Sequence, residues 1–160
     1  MKHSLIAGLV IAVVGLSADS AWAGGKVDIP AVITKADAEK ILGVPVKDAQ
    51  GGNKEGKDGF YDSEWSYEGV KGGKTLVFDF LIGPPGLAAT MFSVLPPGGG
   101  KSTKVEGFGD KAIFYHDKTG LDMMNILKGD TLITIGIHGI PAAAALEHEK
   151  AAARKILGRL

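Results

Sequence analysis

The sequence predicts an α+β domain: an antiparallel sheet of about five strands, a hairpin plus a three-strand meander, with N-terminal, middle and C-terminal helices packed on it. Three observations carry this reading. Val105–Gly139 contains three runs rich in β-branched and aromatic residues, Lys111–His116, Leu121–Lys128 and Thr131–His138, separated by the turn signals Asp117–Gly120 and Lys128–Asp130. Phe60–Glu68 alternates strictly, Tyr61, Ser63, Trp65 and Tyr67 on one face and Asp62, Glu64, Ser66 and Glu68 on the other. After Pro141, the apolar residues Ala145, Leu146, Ala152, Ala153, Ile156 and Leu157 fall in one helical sector.

The chain opens with Lys2 and His3, an apolar run over Leu5–Leu16, and Ala21-Trp22-Ala23, which is the pattern of a secretory signal peptide cleaved after Ala23. The run falls short of the roughly 20 apolar residues a membrane span needs. Residues 1–23 are therefore set apart from the fold, and 24–160 form one exported domain, periplasmic or secreted, with no stable membrane span. Gly24–Val32 reads as an extended lead-in, since Pro30 discourages a helix. Thr34 with Asp37 makes an N-terminal capping box, Ala38, Ile41 and Leu42 share a face, and Gly43 followed by Pro45 stops the helix.

Residues 47–59 are glycine, charge and Asn with one alanine, and read as a mobile loop. The alternating run to Glu68 then pairs with Lys74–Ile82, whose inward set is Leu76, Phe78, Phe80 and Ile82. Gly83–Gly86 breaks the strand, and Leu87, Met91 and Leu95 space a short helix. Residues 96–104, beginning Pro-Pro-Gly-Gly-Gly, read as a linker between halves. In the last strand Ile133, Ile135 and Ile137 face one way and Leu132, Thr134, Gly136 and His138 the other, so that strand is apolar enough to be central. Glu149 alone offends the apolar sector of the final helix, and is expected to bend to the rim or find a basic partner.

Composition excludes several functions. The 18 basic and 18 acidic residues leave no net charge, so no basic stripe marks a nucleic-acid binder. The absence of cysteine removes disulfides, thiol catalysis and a lipid anchor on a cleavage-site cysteine. The 24 glycines cluster at loops. Gly51–Asp58 has the spacing of a phosphate-binding loop but ends in Asp where a Mg²⁺-binding Ser or Thr is needed, and Gly100-Lys101-Ser102-Thr103 lacks the opening glycine, which would be Leu95. No cofactor is implied.

Val105-x-Gly107-Phe108-Gly109-Asp110-x-Ala112 leads into a strand, and Lys128–Ile135 follows. Together with Thr34–Gly43, these segments resemble small exported bacterial proteins of the PsbP/Mog1-like kind. The resemblance covers most of residues 24–160 and implies a binding or assembly role without shared catalytic residues. Many of those proteins are lipoproteins, a feature this cysteine-free chain lacks. Physically, Gly107 and Gly109 reach backbone angles closed to other residues, and Asp110 is expected to bond N–H groups in the turn.

Catalytic and ligand chemistry is sparse. His116, His138 and His148 show no ligand spacing, and His148-Glu149 lacks a second histidine at Ala152. A metal-dependent enzyme would have to bring His116 and His138 to a carboxylate such as Glu149 or Asp110; a copper site would add Met123 or Met124. The stripe Asp62, Glu64 and Glu68 reads as a wet strand face, because alternate residues of one strand do not converge on a cation. Tyr61, Trp65, Tyr67, Phe78 and Phe80 either form core or line an apolar-ligand pocket. The reading favoured by the sequence is a non-enzymatic binding or assembly domain that takes a partner protein or small ligand across one sheet face; a carrier of an apolar molecule is the alternative.

Overall fold

A computed structural model of the chain describes residues 25–97, 101–117 and 119–160, so the expected signal peptide lies outside the described residues. The elements run α1 (Ile29–Val32), α2 (Lys35–Leu42), β1 (Gln50–Glu55), β2 (Tyr61–Glu68), β3 (Thr75–Ile82), α3 (Leu87–Ser93), β4 (Thr103–Lys104), β5 (Lys111–His116), β6 (Leu121–Lys128), β7 (Thr131–His138) and α4 (Ala142–Leu157). All strands join one antiparallel sheet in the order β1-β2-β3-β7-β6-β5-β4.

The sheet therefore has seven strands, where the sequence predicts about five. Both extra strands are edges. β1 lies inside the expected mobile loop 47–59, where the polar run Gln-Gly-Gly-Asn-Lys-Glu pairs residue by residue with Ser66–Tyr61 of β2. Its residues are almost all exposed, so apolar alternation cannot announce it; ladder hydrogen bonds to an already formed strand hold it. Two-residue β4 ends the expected linker by pairing with β5. The lead-in is also different, because it holds the single turn α1, with Pro30 in the first turn where its missing N–H costs nothing.

β7 is central, as its apolar run implies, and it joins the hairpin to the meander through β3 and β6. Its alternation divides the sheet. Ile133, Ile135 and Ile137 pair with Phe80, Phe78 and Leu76 on one side and with Ile126, Met124 and Asp122 on the other. This face is closed by α1, α2 and α4, and its residues form one continuous buried cluster. Thr34 caps α2 as expected, its hydroxyl accepting from the Asp37 N–H while the Asp37 carboxylate accepts from the Thr34 N–H. Lys155 of α4 ties to Asp37 at 2.6 Å.

The second face is covered only at one end. There Ala88 of α3 packs with Leu81, Leu127 and Leu132 in a separate small cluster, so the middle helix sits across the sheet from the other three. Gly109 is fixed by space, since a Cβ there would lie 2.5 Å from the Leu127 carbonyl oxygen. Asp110 reaches farther than a local turn: its Oδ2 accepts from the Gly129 N–H at 2.7 Å, pinning the β6–β7 turn.

Candidate functional site on the open sheet face

Beyond α3, the open face forms a groove of about 740 Å³ crossing β1, β2, β3, β7 and β6. Strand alternation places its floor: Glu64 and Ser66 of β2, Val77 and Asp79 of β3, Thr134 of β7 and Met123 of β6. β1 forms the rim. Gly51 must be glycine there, because its φ is 149° and a Cβ would lie 2.0 Å from the Glu64 carbonyl oxygen. Gly52, opposite Glu64, is different: a Cβ there would meet nothing within 4 Å, so any side chain at this position would enter open space.

The electrostatics centre on Asp79. It stands directly opposite Glu64, and Asp62 is one diagonal step away opposite Leu81. Like charges at such cross-strand positions repel. Asp79 Oδ1 is shielded from solvent and, among the described residues, has no hydrogen-bond partner. Loss of water pushes the carboxyl up to about 6; the charges of Asp62 and Glu64 and a hydrogen bond shared with Asp62 push the same way, against Lys54. Lys54 Nζ straddles the rim carboxylates, 3.9 Å from Asp62 and 4.0 Å from Glu64. The groove is thus an acidic trough with one internal cation, flanked by the apolar Val77 and Met123, and suited to a positively charged group carried on an apolar stem.

The aromatic residues expected either as core or as pocket point toward the helices. Tyr61, Tyr67, Phe78 and Phe80 are 4% exposed or less, within the closed-face cluster. The Tyr61 hydroxyl donates to the Val27 carbonyl and the Tyr67 hydroxyl to the Ile33 carbonyl, so both rings brace the chain entering and leaving α1. Trp65 is half-buried beside them and donates its indole N–H to Asn53 Oδ1 of β1 at 2.9 Å. Trp65 and Phe78 nonetheless border the groove.

The histidines stay apart. His116 and Asp122 are register partners on the closed face, with His116 Nδ1 bonded to Asp122 Oδ1 at 2.8 Å. His138 pairs with Leu121 and so projects from the open face. His148 sits in the crevice between α4 and α2, near Asp37 and Lys40. Met124 is buried in the core, and among the described residues no group of three or more His, Cys, Asp or Glu could hold a metal ion. Of the phosphate-loop look-alikes, residues 50–55 spend their backbone groups in the β1–β2 ladder, while residues 98–100 lie outside the described residues.

Glu149 contradicts its expected escape to the rim. It is 0% exposed, and among the described residues neither carboxylate oxygen has a hydrogen-bond partner. Asp79 was missed because Leu76–Ile82 reads as an apolar strand. The signal was present: once the hairpin register is laid down, Asp79 faces Glu64.

No family model matches the sequence, and no curated protein matches it. Among solved structures, the chain is similar to a GTP binding regulator from Thermotoga maritima, with a TM-score of 0.49 and 11% identity over 80% of this chain and 84% of that one. Among the described residues, no helix is long and apolar enough to cross a membrane.

Proposed function

We propose that this chain is an exported, non-enzymatic binding or assembly domain that holds a basic, extended segment of a partner protein in the groove on the open sheet face. One observation carries the reading: three helices close one face, while the other leaves a trough of about 740 Å³ floored by a shielded, unpartnered carboxyl oxygen of Asp79. Charge complementarity selects the occupant, because Asp62, Glu64 and Asp79 outnumber Lys54. Export rests on the leader pattern of residues 1–23, and a binding role agrees with what the PsbP/Mog1-like resemblance implies. The apolar-carrier reading has less support, since the aromatic side chains it needs pack into the closed core.

The test is a calorimetric titration of the protein with a nine-residue peptide of alternating Lys and Val, beside its Glu–Val counterpart. Saturable binding of the basic peptide alone, weakened by salt and lost in Gly52→Phe, is the expected result. Equal binding of both peptides, or full binding by Gly52→Phe, would defeat the proposal.

A further inference from the structure

The closed face contains a second acidic group that the proposed binding role does not use. Glu149 lies on the sheet side of α4, fully buried, with both carboxylate oxygens unpartnered. A buried charge without a partner is costly, so this residue weakens the contact it occupies unless it carries a proton. We propose that Glu149 is a proton-dependent latch on α4, holding the helix firmly against the sheet in acid and loosening it as pH rises.

Among the described residues, none hydrogen-bonds its carboxylate. From β6 the facing group is Asp122, itself 1% exposed and bonded to His116 of β5. β7 presents Ile133, Ile135 and Ile137, and α1 brings only apolar residues, with Asp28 before it engaged by Asn53. α2 contributes Asp37, which is taken by Lys155. On α4 itself Lys150 pairs with Glu147, Arg154 lies over the Phe108 ring at 5.3 Å, and His148 lies in the crevice with α2 beside Lys40. Burial, followed by the Asp122 charge, pushes the Glu149 carboxyl up to about 9 from its ordinary 4.5.

The sign follows from linkage. While α4 is docked Glu149 keeps its proton up to about pH 9, whereas a lifted helix lets it ionise near 4.5. Between those values each pH unit shifts the equilibrium about tenfold toward the lifted helix; below and above them the effect is flat. The Asp37–Lys155 tie does not mimic this. Lys155 holds the Asp37 carboxyl below its ordinary 3.8, so that tie weakens only in stronger acid. α4 joins β7 through Gly139–Pro141, where Gly139 has φ 86° and a Cβ would lie 2.1 Å from the Gly73 carbonyl oxygen, so this connection stays fixed on the β2–β3 turn while α4 moves.

Hydrogen–deuterium exchange of the full chain at pH 5, 6, 7 and 8, expressed as protection relative to an unstructured chain, tests the latch. Amides of Ala145–Ile156 in α4 should lose about tenfold protection per pH unit and stay less protected at every pH than those of Leu76–Ile82 in β3, which open only with the whole domain. Glu149→Gln, the neutral isostere, should flatten the α4 profile. Glu149→Met serves the same purpose should the glutamine variant fold poorly. All other titrating groups remain in these variants, so any residual pH dependence belongs to them. A pH-independent α4 in the parent protein, an unchanged slope in both variants, or equal protection of α4 and β3 at every pH would each overturn the latch.

Discussion

The two faces of this sheet treat a carboxyl in opposite ways. Asp79, on the open face, is only partly buried beside two acids and Lys54, and it is pushed up only to about 6. Glu149, on the closed face, lies under a helix among isoleucines and is pushed up to about 9. Near neutral pH the first is mostly ionised and the second holds its proton. The difference teaches what each face does: a charged group that water can still reach is available to a ligand, whereas a sealed one governs the seal.

The contrast can be broken most forcefully through the closed core. Phe80→Ala removes a 0%-exposed ring that touches Tyr61 edge-on, 6.2 Å between ring centres, and should cost about 3 to 5 kcal/mol in urea unfolding. A loss under 1 kcal/mol would mean that the helices do not seal this face. Glu149→Gln should work in the opposite direction. Keeping a proton at pH 7 on a group whose ordinary value is 4.5 costs about 3 kcal/mol, which the variant recovers. That gain should vanish below pH 4.5 and grow until about pH 9; equal stabilisation at pH 4 and pH 8 would contradict it.

On the open face the same exchange should matter less. Asp79→Asn removes a folding penalty that accumulates between pH 3.8 and about 6 and stays constant above. Because the groove remains partly wet, the gain at pH 7 should be about 1 kcal/mol, and basic-peptide affinity should fall at least tenfold. Denaturation and calorimetry on one preparation check both. Lys54→Ala completes the series. Its ion pairs are long and exposed, so stability should change by less than about 0.5 kcal/mol while basic-peptide affinity rises. An affinity loss in Lys54→Ala would mean that the trough attracts anions.

How much of this was legible depended on how each element is held. The five strands with apolar alternation and α2 with its Thr34–Asp37 box announce themselves because local chemistry and burial agree. β1 and β4 were hidden because exposed edge strands are specified by their neighbour's ladder. The groove was half legible. Asp62 and Glu64 were visible as an outward stripe, but Asp79 joins them only through the β2–β3 register, and Gly52 matters only because β1 exists. Glu149 stands out on the helical wheel, but a wheel cannot show that its carboxylate lacks a partner among the described residues.

The central claim, that the open face is the binding face, is tested most directly by backbone and side-chain NMR shifts during titration with the Lys–Val peptide. Val77, Asp79 and Thr134 should shift progressively while their strand neighbours Phe78, Phe80 and Ile133, which point to the helices, move little. Shifts concentrated on α2 and α4, or absent at millimolar peptide, would contradict it.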